Sequence, residues 1–155
     1  TGADRAAIDA AIETSKVYSG WCPAGGWAED LTLPPGLLAR YPLMKETPSS
    51  VVEQRTEWNV RDSTATMIFL PSPSFRRSPG TNYTLDMTMK WLKPCLVVDL
   101  ANACAIDAMM GFLSGLNQRS VVLNCAGPRE SEANGTYDRT KALIRSLINK
   151  LEELS

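Results

Sequence analysis

The sequence predicts an α/β domain: a doubly wound parallel sheet with helices on both faces. Three observations predict it. Largely apolar stretches that read as strands lie at 64–71, 94–100 and 120–126, amphipathic stretches alternate with them, and 155 residues at 44% hydrophobic and 21% charged can build one core. Runs such as "TATMIFLP", bounded by proline, fit strands buried on both faces. Strands that alternate with helices pair in parallel through crossovers of one hand. The whole chain, 1–155, reads as a single domain.

The elements follow in order. Residues 3–15 read as a helix, because Ala7 with Ala11 and Ile8 with Ile12 recur at four-residue spacing and Asp4 and Asp9 favour its N-terminal half. A helix opening directly from Thr1–Gly2 resembles the second half of a strand, glycine turn, helix unit, so a first strand is expected ahead of Thr1. From Val17 to Pro48 glycine and proline dominate around Trp21, Cys22 and Trp27, which reads as a long irregular cover packed by its aromatics. Ser50 with Glu53 forms a capping-box pattern opening a helix to about Arg61, with Glu57 and Arg61 spaced as a favourable pair. On that helix Val51, Arg55, Trp58 and Asp62 share a face, which sets Arg55 on the stripe that should be apolar, with Asn59 beside it. Trp58 and Trp91 read as core.

After the first apolar run, "SPSFRRSPGT" leads through a loop into a helix starting near Thr81; 105–117 is a further helix, and Thr136 to Leu154 a last one striped by Leu143, Leu147, Leu151 and Leu154. No internal repeat or low-complexity tract is present.

Composition excludes several chemistries. Histidine is absent, which removes Ser-His-Asp and Cys-His nucleophiles and every histidine-containing metal site. No protein metal site is expected. Sixteen Lys and Arg against 17 Asp and Glu leave a net charge of -1, so neither a nucleic-acid nor a membrane surface is indicated. Cys22, Cys95, Cys104 and Cys125 form no CxxC pair and read as reduced thiols of a soluble cytoplasmic protein. No apolar run is long enough for a membrane span, and the first residues lack a signal-peptide pattern.

In such a sheet, ligands bind beyond the carboxyl ends of the strands. Three helix-opening turns fall at that edge: Thr1–Gly2, Pro79–Thr81 and Gly127–Gly135. Helix N-termini attract anions through free N–H groups, and glycine permits close approach. The candidate ligand- and phosphate-binding residues are therefore Gly2, Asp4, Arg5, Arg55, Asn59, Arg61, Gly80, Thr81, Gly127, Pro128, Arg129, Glu130 and Ser131. Glu130, Glu57 and Asp62 would orient the arginines or accept ligand hydroxyls.

The segments "TGADRAAID", "GWCPAGGWAED", "RYPLMKETPS", "QRTEWNVRDS", "SPGTNYTL", "KPCLVVDL" and "LNCAGPRES" resemble, in order from residue 1 to about 137, the motifs of the molybdenum carrier family, a branch of the Rossmann-like, LOG-related superfamily. The resemblance implies binding of molybdenum cofactor or another phosphorylated, nucleotide-like ligand, often by a homo-oligomer that would serve molybdoenzymes or cofactor-synthesis proteins. In that family the first motif follows a strand ending in a Ser-Gly-Gly-Gln turn. The superfamily also contains nucleotide phosphoribohydrolases with a PGGxGTxxE turn. Here Gly80 and Thr81 match it, Pro79 replaces its first glycine, and Thr84 stands where the catalytic glutamate would be. A threonine cannot serve as that carboxylate. The readings left open are a cofactor carrier, a nucleotide sensor, and a hydrolase in which Glu130 or Glu57 substitutes for the glutamate. Trp21 or Trp58 would flank a bound pterin.

Overall fold

The apolar run that ends before Pro71 becomes the middle strand of a parallel sheet in the computed structural model, which describes residues 1–154. This strand, β3 (Ala65–Leu70; β1 and β2 are given below), is buried along its whole length. It pairs in parallel with β4 (Cys95–Asp99), Met67 opposite Leu96, and with β5 (Leu123–Ala126), Ile68 opposite Ala126. Burial on both faces is why its sequence shows no alternation.

One face is covered by α1 (Gly2–Glu13), α5 (Ala105–Gly115) and α6 (Thr136–Glu153), whose Ala3, Ala10, Met109, Ile144 and Leu147 pack against Met67, Phe69 and Val98. Ala3, Ala6 and Ala10 are fully buried, and such small side chains let α1 lie close to α6. The two helices run in the same direction, since Asp9 meets Tyr137 and Glu13 meets Lys141 and Arg145. The opposite face carries α4 (Pro79–Lys90), whose Leu85 packs with Phe75 on Ile68 and Leu70. Beside α4 lies α3 (Val52–Arg61). Helices therefore flank the sheet on both sides, as the alternation of elements predicts.

Several local expectations are corrected. The stretch expected to be irregular contains β1 (Gly20–Cys22) and β2 (Met44–Glu46), which form a separate two-stranded parallel sheet, and a short helix α2 (Leu37–Arg40). Three-residue strands carry too little periodicity to stand out among glycines and prolines. The Ser50–Glu53 capping box does not form. Val51 is the N-cap residue of α3, and instead the Ser49 N–H donates to Gln54 Oε1 while Ser49 Oγ accepts from the Val51 N–H. Glu57 and Arg61 do not pair, because Glu57 accepts from Lys90 and Trp91 while Arg61 turns to Asp62. Nor is β4 buried on both faces: it is an edge strand, and Val97 is 44% exposed. Trp91 is also largely at the surface, as are Leu151 and Leu154 at the end of α6. Among the described residues no helix is long and apolar enough to cross a membrane.

Candidate functional site

Chain reversals at the carboxyl ends of β3 and β5 bring the N-terminus of α4 and the segment after Ala126 to one edge, where α1 also begins. At α4 the sequence supplies its own cap. Ser78 Oγ accepts from the Thr81 N–H at 3.3 Å, and Pro79 occupies a first-turn position that needs no N–H. Thr81 is buried, and its hydroxyl meets Ser78 Oγ at 3.2 Å. Gly80 is exposed, with open space where a Cβ would stand.

The other two glycines serve a different purpose. An ideal Cβ on Gly2 would fall 2.0 Å from the Pro128 carbonyl oxygen, and one on Gly127 would fall 2.6 Å from Phe69 O and 2.9 Å from Ala3 Cβ. Both positions are needed for close backbone packing between α1 and the segment leaving β5. Ligand access is not what requires these two glycines, in contrast to the expectation from their turns alone.

A cavity of about 1320 Å³ opens at this edge. Of the predicted site residues it is lined by Gly2, Asp4, Arg5, Arg55, Asn59, Gly80, Thr81, Gly127, Pro128 and Arg129, whereas Arg61, Glu130 and Ser131 are not part of its lining. Arg55 of α3 reaches Asp4 of α1, its Nη1 lying 3.0 Å from Asp4 Oδ2, and this pairing accounts for a charge at that position. Asp4 and Arg5 do not pair with each other. Arg5 instead forms a two-point contact with Asp30, with Nη2 to Oδ1 at 2.8 Å.

The Asn59 carboxamide takes both main-chain groups of Trp21, accepting from its N–H at 2.8 Å and donating to its carbonyl at 3.0 Å. Arg61 holds Asp62 through two bonds and lies over the Trp58 ring, with its guanidinium carbon 4.5 Å from the centroid. Trp58 packs edge to face on Trp21, and the Trp21 indole N–H donates to Asp62 at 2.8 Å. Asp62 therefore does orient an arginine. Glu130 does not: its two oxygens accept from the Gly135 and Tyr137 N–H groups at 2.5 and 2.8 Å and cap α6. Glu57 is likewise committed to Lys90.

Residues of the glycine- and proline-rich cover complete the edge. The Glu29 carboxylate accepts from the Thr1 hydroxyl and from Ser131 Oγ, the latter at 2.8 Å, and lies 4.0 Å from Arg129 Nη1. These donors hold Glu29 below its usual carboxylate range, and Arg5 does the same for Asp30. The Arg129 guanidinium stands 6.0 Å from the Trp27 ring centroid. Below this contact Asp9, on α1, accepts from Tyr41 at 2.8 Å and Tyr137 at 2.6 Å, tying the cover to α1 and α6. Sequence reasoning missed Glu29, Asp30, Asp9 and Tyr41. The one signal for the first pair is an adjacent acid pair closing "GGWAED", where turn residues alone would suffice.

A parallel sheet flanked by helices, with helix N-termini gathered at its carboxyl edge, defines a Rossmann-like domain. The chain belongs to the circularly permutated YpsA SLOG family, whose model matches residues 1–148. Among solved structures it is similar to a "Putative molybdenum carrier protein" from Syntrophus aciditrophicus SB, with 34% identity and a TM-score of 0.81 over 96% of this chain and 89% of that one. No curated protein matches the chain.

Proposed function

We propose that this protein is a molybdenum cofactor carrier that holds a phosphorylated pterin at the carboxyl edge of the sheet. The observation that carries the proposal is the joint placement of the α4 N-terminus, with the open Gly80, and Arg129 on one cavity. The name of the structural neighbour supplies the cargo class. Pro79 has no N–H and Ser78 takes the Thr81 and Asn82 N–H groups, so the Gly80 N–H and the Arg129 guanidinium are the donors this edge offers a phosphate. Thr81 holds that turn in place, and Trp27 and Trp21 offer aromatic faces on the same cavity.

The donor set fits a cargo whose metal is chelated by its own dithiolene. Among the described residues no group of three or more His, Cys, Asp or Glu side chains could hold a metal ion, so the chain's task would be to grip phosphate and pterin. We propose further that the carrier acts as a homo-oligomer and delivers its cargo to molybdoenzymes or cofactor-synthesis proteins. The hydrolase reading loses its stand-in carboxylates, since Glu130 caps α6, Glu57 pairs with Lys90, and Thr84 donates its hydroxyl to the Gly80 carbonyl at 3.0 Å.

The test is calorimetric titration of the protein and of an Arg129→Ala, Thr81→Val double variant with a panel of phosphorylated pterins and nucleotides. Loss of a charge-assisted contact costs about 1.5–3 kcal/mol, so affinity should fall about 10- to 100-fold. Unchanged affinity for every ligand that binds would reject this site.

A further inference from the structure

The turn that ends "GGWAED" presents two carboxylates to the body of the domain, and they do different things. Ala28 and Leu31 exchange both main-chain bonds, at 3.1 and 3.0 Å, which puts Glu29 and Asp30 at the tip of a two-residue turn. Asp30 suits a turn and anchors its tip, since it meets the buried Arg5 of α1 at two points. The base of the turn is just as fixed, because a Cβ on Gly26 would fall 2.2 Å from the Pro35 carbonyl oxygen and one on Gly36 2.2 Å from that of Gly26.

Glu29 is neither a turn former nor needed as that anchor. Its carboxylate accepts from the Thr1 hydroxyl and from Ser131 Oγ at 2.8 Å, and stands 4.0 Å from Arg129 Nη1. Among the described residues these side chains donate to no other acceptor. The Thr1 hydroxyl does not cap its own helix, and the Arg129 guanidinium has, besides Glu29, only the face of Trp27. Two hydroxyls and a guanidinium converging on a carboxylate form a donor set that suits a phosphate equally well. Glu29, Thr1, Gly80 and Arg129 line the same cavity.

We propose that Glu29 is a built-in competitor for phosphate: its carboxylate holds the Thr1, Ser131 and Arg129 donors and yields them when a phosphate binds. This role rests on the phosphate edge proposed above. Two anions side by side on one donor set repel, so a phosphate can take the donors only as Glu29 leaves. Leaving is a local event. The Glu29 side chain is 25% exposed and can swing into water, while Asp30 keeps the turn that carries it on Arg5. Apparent affinity is then reduced by the fraction of chains in which Glu29 occupies the donors. On release, the carboxylate closes behind the departing phosphate. A carrier gains from both effects, since it must hold its cargo and also hand it over.

The test is titration of the protein with inorganic phosphate at constant ionic strength, followed by phosphorus NMR, with circular dichroism melts as a check on folding. Arg129→Ala defines the specific binding. Glu29→Gln, which keeps the shape and removes the charge, should bind phosphate about tenfold more tightly, the gain expected if Glu29 holds the donors in about nine chains of ten. Asp30→Asn removes the same charge one residue away and should gain far less. Equal gains in the two variants would mean a general field effect and overturn the competitor. Arg129-dependent binding that is equal in the parent and Glu29→Gln would overturn it and leave the phosphate edge standing. Weaker binding in Glu29→Gln would make Glu29 a ligand contact and overturn it too. Lack of phosphate binding in both chains would refute the edge itself, and the competitor with it. If Glu29→Gln does not fold, Glu29→Asp decides, since the shorter acid keeps the charge but withdraws from the donors and should likewise tighten phosphate binding.

Discussion

Placing a methyl group on Gly127 separates packing from ligand access. The added Cβ would lie 2.6 Å from the Phe69 carbonyl oxygen and 2.9 Å from Ala3 Cβ, and neither neighbour is the far end of a flexible side chain. Something must therefore shift in the contact between α1, β3 and the segment leaving β5. Overpacking of this kind costs about 1–3 kcal/mol, and contact with main chain places it near about 3. In a domain of this size each kcal/mol moves the midpoint by about 2–4 °C, so Gly127→Ala should melt about 6–12 °C lower. Gly80→Ala is the matched control. It meets nothing nearer than Ser78 Oγ at 4.0 Å, so it should be neutral or up to about 1 kcal/mol more stable. Thermal melts and urea titrations followed by circular dichroism measure both. In ligand titrations the order should reverse, with Gly80→Ala weakening binding and the folded fraction of Gly127→Ala binding normally. If Gly127→Ala is as stable as the parent chain, or if both variants lose equal stability, the assignment of Gly127 to packing is refuted.

Other outcomes follow from the same contacts. Glu130→Ala should cost about 1–2 kcal/mol of stability through the lost α6 cap and leave ligand affinity unchanged, which paired melting and titration experiments would check. Burial and the Asp9 carboxylate hold the Tyr41 phenol above its ordinary 10.0, so the unfolded chain gives up that proton first. The stabilisation is complete below about pH 10 and is lost as pH rises beyond it; denaturant titrations from pH 8 to 11 should show this decline, and Tyr41→Phe should flatten it. Asp30 behaves oppositely: its lowered pKa makes the bond with Arg5 a source of stability above about pH 4 that disappears on acidification, and Asp30→Asn should reduce that acid sensitivity. Burial pushes the Cys22 thiol up while Cys104 is exposed, so alkylation at pH 8 followed by peptide mapping should label Cys104 first.

The parts legible in the sequence are those where one physical signal acts alone. The strand 65–70 is buried on both faces, so its unbroken apolar run names it directly, and α4 was legible as a helix after the Pro/Ser loop, though it begins at Pro79 under a Ser78 cap and not near Thr81. The carboxyl edge proposed here to take the ligand follows from that alternation of strands and helices. The cover was not legible in the same way. β1 and β2 are three residues each and draw their bonds from partners 24 residues apart, a pairing that no local period encodes. Side-chain pairing was the least legible of all. Glu57 and Arg61 have ideal spacing, yet Lys90 and Asp62 offer closer partners, and only the fold decides between them. Gly2 and Gly127 show the same limit, since a glycine that admits a neighbouring backbone and one that admits a ligand are the same letter in a sequence.

The most direct test of the carrier assignment is to purify the protein anaerobically from its native cell and analyse it by metal analysis and native mass spectrometry. The proposal predicts molybdenum recovered together with a phosphorylated pterin, and loss of both in Arg129→Ala. Recovery of a nucleotide without metal, or of molybdenum and pterin at equal levels in Arg129→Ala, would contradict it.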